Sequence, residues 1–323
     1  MKTEIMKNLL TLIILCFLSS VTYSQTLVAG DIAFIGINTD AGAGANDDFT
    51  FITLTDIPAG EIIYFTEEGW SDQTNTWAVT SEGHATWTSP AGGVSCGTVV
   101  HVNEATSNTF TVTGGGSAVF SSGTSWSLVG GDQVLAYYSA AGPEPAGIPT
   151  FISGVHMDDG SGTPLSLDAV TKWNNLAVVA PGTARSSLPA GLTNGVNCVS
   201  VNPAIGTEVD NAKYTGTLIG TSTVIRASIN DFNNWSKNDG TAFNITPAGY
   251  SPSVACVAAC TAPDIPTATS APGIICDGNS ALLTISGNKN DATAWHVYTG
   301  TCGGTPVGST TGTTIIVTPG LPS

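Results

Sequence analysis

The stretch DDFTFITLTDIPAGEIIYFTEEGW, Asp47–Trp70, sets two acids at each end of an alternating run and closes on a tryptophan. Paired carboxylates beside an aromatic ring suit glycoside hydrolysis, which needs two carboxyls about 5.5 Å or about 6.5–9.5 Å apart across a cleft. Glu67 and Glu68 cannot be that pair together, because neighbours on a strand point to opposite faces. One of them with Asp47 or Asp48 has only residue type in its favour. GVSCG, Gly93–Gly97, fits the G-x-S-x-G nucleophile pattern. That chemistry wants Ser95 on a strained strand-to-helix turn, with a histidine and an acid later in the chain. Gly97 leads into TVVHV, a strand, so the pattern reads as a glycine-rich turn. The histidines are His84, His101, His156 and His296, and none sits in a metalloprotease spacing. His101 and His296 lie in alternating runs and read as strand residues. His156 begins HMDDGSG, which reads first as a solvated loop and only second as a cation site. No catalytic constellation emerges, and the chain reads as something other than an enzyme.

Asp40, Asn46, Asp47 and Asp48 flank or lie in the loop INTDAGAGANDDF. Calcium takes six to eight oxygens, which clustered Asp and Asn with backbone carbonyls can supply. The order is not that of an EF-hand loop. These four are the candidate calcium ligands, and calcium is the one candidate cofactor, against the plainer reading of a flexible acidic loop. Seven tryptophans, among them Trp70, Trp77, Trp87 and Trp126, raise the idea of stacking on sugar rings. Aromatic rings in a sandwich serve more often as core or rim packing.

These residues need a scaffold, and the chain of 323 residues is long enough for two domains. Lys2 and Lys7 precede LLTLIILCFLSSV, and small residues come after it. That order reads as a secretory signal peptide over residues 1–24, cleaved near Ser24. The apolar run is too short to span a bilayer, and no transmembrane segment is expected. The chain carries a formal net charge of −16; removing Lys2, Lys7 and Glu4 leaves 6 basic and 23 acidic residues, or −17. Such a surface repels nucleic acid. Only 10% of residues are charged, against roughly 25% in typical soluble proteins. Glycine, serine and threonine fill the gap, which suits exposed sheet with many turns.

Six cysteines remain after processing, and export with an even count suggests disulfides. Six cysteines allow 15 connectivities. Cys96–Cys198 and Cys276–Cys302 are the expected pairs.

Residues 25–250 read as a β-sandwich domain. Short alternating runs recur between glycine and proline turns: GDIAFIGINTD, FTFITLT, EIIYFT, HATWTS, GTVVHV, NTFTVT, SAVFSS and QVLAYYS. The opening stretch reads as a hairpin turned at Ile57–Gly60, its end acids facing water. One helix is expected in Thr221–Trp235, with Ile225, Ile229 and Phe232 on its buried face. Residues 251–267 read as a linker. Residues 268–323 hold LLTISG, TAWHVYTG and TTIIVTP as strands and Trp295 as a core residue. They are too few for a complete sandwich of about 100 residues, so a C-terminally incomplete fragment is expected.

The small domain, through ICDGNSALLTISG and AWHVYTGTCGGTPVGSTTGTTIIVTPG, resembles the bacterial Ig-like modules found in tandem on secreted and surface proteins. The large domain looks like a module of bacterial secreted proteins on GDIAFIGINTD, DDFTFITLTDIPAGEIIYFTEEGW, WTSPAGGVSCGTVVHV, SLVGGDQVLAYYS and SINDFNNW. Its first half is distantly similar to the lamin-tail domain, an Ig-like sandwich, in the order of strand, Gly-Trp and turn. The resemblance implies an all-β fold: an Ig-like or lamin-tail-like β-sandwich with one helix, plus a second, partial Ig-like β-sandwich. It implies an exported, non-catalytic surface or extracellular protein with an adhesion, structural or ligand-presenting role. Polysaccharide or surface proteins are then the expected partners. Two alternatives stay open: an accessory region of a secreted hydrolase or nuclease, and a carbohydrate-binding module.

Overall fold

β-Branched and aromatic residues dominate IAFIGIN, DFTFIT, IIYFT and QVLAYY, and each of these runs is a strand. The computed structural model describes residues 27–39, 47–78, 82–158, 167–174, 185–202, 209–255, 267–271, 280–289, 294–299 and 305–317. The chain divides into two compact units, Met1–Val257 and Ala258–Ser323.

In chain order the strands of the first unit begin with β1 (Ile32–Asn38), β2 (Asp48–Thr53), β3 (Ile62–Thr66), β4 (Trp70–Ser71) and β5 (Thr76–Trp77). Next come β6 (His84–Thr88), β7 (Val99–Thr106), β8 (Thr109–Thr113), β9 (Ser117–Ser122), β10 (Gln133–Tyr138) and β11 (Thr150–His156). The last are β12 (Val199–Ser200), β13 (Asn211–Tyr214), β14 (Ile219–Thr221), β15 (Trp235–Asn238) and β16 (Ser253–Ala255). Two six-stranded sheets result, ordered β15-β13-β1-β2-β7-β8 and β12-β11-β10-β3-β6-β9. Rings from both sheets meet between them. Phe65 of β3 lies 4.8 Å from Phe49 and 5.3 Å from Phe51 of β2, and Trp87 of β6 meets Phe51 edge-on. The fold is an all-β sandwich with a single helix among the described residues.

The opening stretch is not a hairpin. β2 pairs with β1 and β7 in one sheet, whereas β3 pairs with β6 and β10 in the other. Ile57–Gly60 therefore carries the chain across from sheet to sheet. Both strands are buried nearly throughout, so Phe49 and Phe51 face Phe65 across the sandwich and the stretch forms its centre.

The helix, α1 (Ser222–Ile229), is capped by Thr221, whose side chain accepts the Val224 N–H. Ile225 and Ile229 are buried as expected. Phe232 departs from expectation: it opens a 3₁₀ turn and is exposed. The helix stops first, at Asn230, whose side chain donates to the carbonyls of Arg226 and Val196. Ser253–Ala255, expected within a linker, instead pairs in parallel with β14.

The second sheet buries both faces. One face meets the first sheet. The other carries a smaller aromatic cluster of Tyr64, Trp70, Tyr137, Phe151 and Trp173. Gly154 of β11 lets Trp173 lie flat there, since a Cβ would stand 2.9 Å from its ring. Gly69 is needed in the same way, because a Cβ would meet the Arg185 carbonyl oxygen at 1.8 Å. This close approach lets Ser187 exchange hydrogen bonds with the backbone of Trp70 and Asp72.

In the second unit β17 (Thr267–Ala271), β18 (Ala281–Ser286) and β21 (Thr314–Val317) form an antiparallel sheet, and β19 (Trp295–Thr299) pairs with β20 (Thr305–Thr310). Ile285 and Trp295 are buried.

Candidate functional site

The end acids of the opening stretch are turned to the fold: Glu67 and Glu68 are buried, and Asp47 and Asp48 are half-buried. Asp47 Oδ2 accepts the Leu128 N–H at 2.9 Å, and Glu67 Oε2 accepts the Ser127 N–H at 2.7 Å. Asp132 Oδ2 accepts the Val129 N–H at 2.7 Å, and Asn108 Oδ1 the Trp126 N–H at 2.8 Å. Four successive backbone donors thus end on four side-chain oxygens. The loop buries alternate residues, Trp126 and Leu128, and satisfies its N–H groups without a strand partner. Glu67 Oε1 also accepts the Gly83 N–H at 2.9 Å. Burial pushes the Glu67 carboxyl up to about 8, against the pull of the Gly83 and Ser127 N–H groups and with the charges of Glu82 and Asp47 adding to the rise. Glu82 is raised to about 7, first by burial and then by the charge of Glu68. Asp132 is raised well above the ordinary range by burial. Glu67 and Asp132 thus brace the loop, and burial favours the protonated form of all three carboxyls.

Asp48 Oδ1 accepts from Asn38 Nδ2, and its Oδ2 meets His101 Nε2, each at 2.7 Å. Of the four calcium candidates, Asp47 and Asp48 are therefore engaged by protein donors. Asp40 and Asn46 lie outside the described residues.

The densest group of chemically capable side chains is centred on His84, the first residue of β6. His84 and Glu68 are fully buried. Sheet register sets Thr66 opposite His84, which brings the chain just after β3 to the ring. His84 Nε2 lies 2.8 Å from Glu68 Oε2, and Nδ1 lies 2.8 Å from Tyr137 Oη. The Glu144 N–H donates to the same Oη at 2.9 Å. Burial pulls the imidazole down to about 4, so it is neutral with one N–H. A carboxylate only accepts, so that N–H is Nε2–H, aimed at Glu68. Nδ1 must then accept, and Tyr137 Oη–H donates to it. The bonds run one way: Glu144 N–H to Tyr137, Tyr137 O–H to His84, His84 Nε2–H to Glu68. Glu144 adopts φ +50°, in the left-handed region, and its carboxylate accepts from Ser122 Oγ. Burial also raises the Tyr137 hydroxyl far above its ordinary value. Trp77 packs edge-on against the His84 ring at 5.2 Å, and its Nε1 donates to the Pro145 carbonyl at 3.2 Å.

His156 builds a second network at the end of β11, so it is a buried strand residue and no solvated loop. Its ring stacks on Trp173 at 4.8 Å. Nε2 lies 2.7 Å from Asn174 Oδ1, and Nδ1 lies 3.4 Å from Ser200 Oγ. Asn174 Nδ2 donates to Asp158 Oδ2 at 2.7 Å, which fixes the amide orientation and makes His156 an Nε2–H donor too. Arg185 Nε stands 3.2 Å from Asp158 Oδ2. Burial lowers the His156 pKa. A serine, a histidine and an amide in this order mimic a nucleophilic triad, but Ser200, His156 and Asn174 are all buried.

Ser95 sits in an exposed turn bridged by Ile57 and Val94, with Asp56 accepting the Cys96 N–H at 2.9 Å. The strand-to-helix elbow is absent there. The expected Cys96–Cys198 pair is not formed. Cys96 is disulfide-bonded, whereas Cys198 is a free thiol. Cys198 is buried within the aromatic cluster on the second sheet, where burial raises its pKa. Cys276 and Cys302 lie outside the described residues. Six of the seven tryptophans are buried and Trp77 is half-buried, so they pack the fold and offer no open sugar platform.

Sequence reasoning misses Tyr137 and Glu144 altogether and leaves His84 without a role. No spacing rule links them, and strand register is what assembles them. No helix among the described residues is long and apolar enough to cross a membrane. Comparison with protein-family models, with curated proteins and with solved structures finds no match.

Proposed function

We propose that the chain is an exported, non-catalytic β-sandwich protein of the bacterial surface or exterior, with an adhesive, structural or ligand-presenting role. One observation supports this most. Among the described residues, the clustered side chains that could do chemistry are spent inside the fold. Glu67 and Asp132 brace a loop, and the rings of His84 and His156 are sealed in networks that fasten loops to the second sheet. A catalytic base must reach the proton it abstracts within hydrogen-bond distance, and buried rings of this kind meet no substrate. A surface depression of about 390 Å³ is lined by Lys213, Thr217, Ile219 and Tyr250 among others and is remote in sequence from every histidine. Its Lys213 ammonium lies 4.8 Å from the Tyr250 ring. The acidic balance of the chain suits an exterior life among neutral polysaccharides and proteins.

Two measurements test the reading. Protease shaving of intact producing cells, with mass spectrometry of the new N-terminus, is expected to find the chain outside the membrane and starting near Gln25. The purified chain is expected to turn over no ester, phosphodiester or glycoside reporter. Turnover that His84→Ala or His156→Ala abolishes while the fold persists would overturn the non-catalytic reading.

A further inference from the structure

We propose that Glu68, His84 and Glu144 bind a divalent first-row transition ion, for which Zn²⁺ is the probe. The proposal does not depend on the surface role. A ring nitrogen of His84 and one carboxylate oxygen each from Glu68 and Glu144 lie within 4.8 Å of one another. Zinc holds His nitrogen at about 2.0–2.1 Å and carboxylate oxygen at about 2.0–2.2 Å, so two ligands of one tetrahedral ion stand about 3.4 Å apart. To close on an ion the widest pair would draw together by up to about 1.4 Å, while His84 Nε2 and Glu68 Oε2, now 2.8 Å apart, would open to admit it.

The donor set selects the class of cation. An imidazole with two carboxylates suits zinc, iron or their neighbours, while calcium wants six to eight oxygens. Two carboxylates with a neutral ring balance the charge of a dication. Three protein ligands leave a fourth position open, the coordination of many zinc sites.

The surroundings orient these ligands. Tyr137 Oη holds both His84 Nδ1 and the Glu144 N–H, the outer partner that ligating histidines need. On binding through Nε2, the ring proton moves from Nε2 to Nδ1, and Tyr137 Oη becomes its acceptor. Glu82 adds a second indication. Its Oε2 is buried with no hydrogen-bond partner. Entry is from the Glu144 side, since Glu144 is partly exposed while Glu68 and His84 are closed off. The ion would join three segments: the chain after β3, the start of β6 and the loop after β10.

The test uses the full chain, stripped with chelator and titrated with Zn²⁺ by calorimetry, with bound metal counted after dialysis. The wild type is expected to hold one equivalent more than Glu144→Gln, and zinc is expected to raise the melting temperature of the wild type alone. Asp239→Asn, at an exposed bend, is expected to behave as wild type. On the wild type itself, Co²⁺ is expected to broaden the His84 ring resonances in NMR and to spare those of His156. Equal zinc content in wild type and Glu144→Gln, or a Co²⁺ titration that leaves the His84 signals untouched, would overturn the proposal.

Discussion

Asp158 and Glu67 are both buried carboxyls beside the second sheet, and they are kept in opposite ways. Asp158 meets the Arg185 guanidinium at 3.2 Å and the Asn174 amide at 2.7 Å. Its network includes a cation. Glu67 faces two backbone N–H groups and shares its surroundings with Glu82, Asp132 and Asp47. There the carboxyls answer burial by holding protons. A buried charge is costly unless it is paired, and a titratable group can shed the charge instead. One network should therefore fail when its cation is removed, and the other when protons are removed.

The largest effect is expected at Arg185. Breaking a buried ion pair by removing one partner typically costs about 3–5 kcal/mol. Arg185 is about one-fifth exposed, so Arg185→Met should cost about 3 kcal/mol, at the low end of that range. The double variant Arg185→Met/Asp158→Asn should recover most of the loss, because no carboxylate is then left behind. Urea denaturation at pH 7 measures both, and a double variant as weak as the single one would contradict the pairing.

The acid-braced loop should respond to pH. Glu67 and Glu82 keep protons in the fold up to about 8 and about 7, whereas in the unfolded chain they lose them near 4.5. The folded state then binds more protons, and stability falls as pH rises through that window. The two histidines, with lowered pKa values, act in the opposite sense, but their contribution is complete above about pH 6.5. Between about pH 6.5 and 8 the fall is thus left to the acids. At about 1.4 kcal/mol per pH unit for each proton, Glu67 alone should account for about 2 kcal/mol. Glu67→Gln should flatten the slope, although the amide satisfies only one of the two N–H donors and so costs about 1 kcal/mol at the outset. A profile that is level over this range in the wild type would show that Glu67 is ionised in the fold.

The contrast between these networks is only partly legible in the sequence. Alternation and β-branched residues give away β1, β2, β3 and β10, and Thr221 announces the helix it caps. The connection from β2 to β3 is not legible, because IPAG turns a hairpin and a sheet-to-sheet crossing alike. Strands buried on both faces also lose the alternation that tells inside from outside. The acids mislead for a related reason. Asp47 and Glu67 look like surface charge until the loop at Trp126–Val129 arrives, about 60 or more residues later, with N–H groups to satisfy. Cysteine parity suggests disulfides but not which residues pair. Cys198 ends among Trp173 and Leu192, a thiol used as an apolar side chain. Glu68, His84 and Glu144 share no motif, and Glu144 joins the ring's network through Tyr137, two residues along β10 from Leu135, the partner of Thr66.

The smallest effect should come from making the two histidines alike. His156 donates its Nε2–H to an amide oxygen at 2.7 Å, and His84 donates the same proton to a carboxylate at 2.8 Å. Glu68→Gln replaces the carboxylate with an amide of the same shape, whose oxygen can still accept. The hydrogen bond survives, the ring stays neutral, and Tyr137 keeps its place as donor to Nδ1. A neutral hydrogen bond contributes about 1 kcal/mol net, so exchanging one acceptor for another should change folding stability by less than that. Removing the charge of Glu68 should also lower the pKa of Glu82, since that charge helps to raise it. The pH slope near 7 should then become shallower in the variant, with the melting temperature at pH 6 almost unmoved. If Glu68→Gln instead destabilises the protein by several kcal/mol at pH 6, the carboxylate is essential to the fold itself, and His84 and His156 are not two versions of one arrangement.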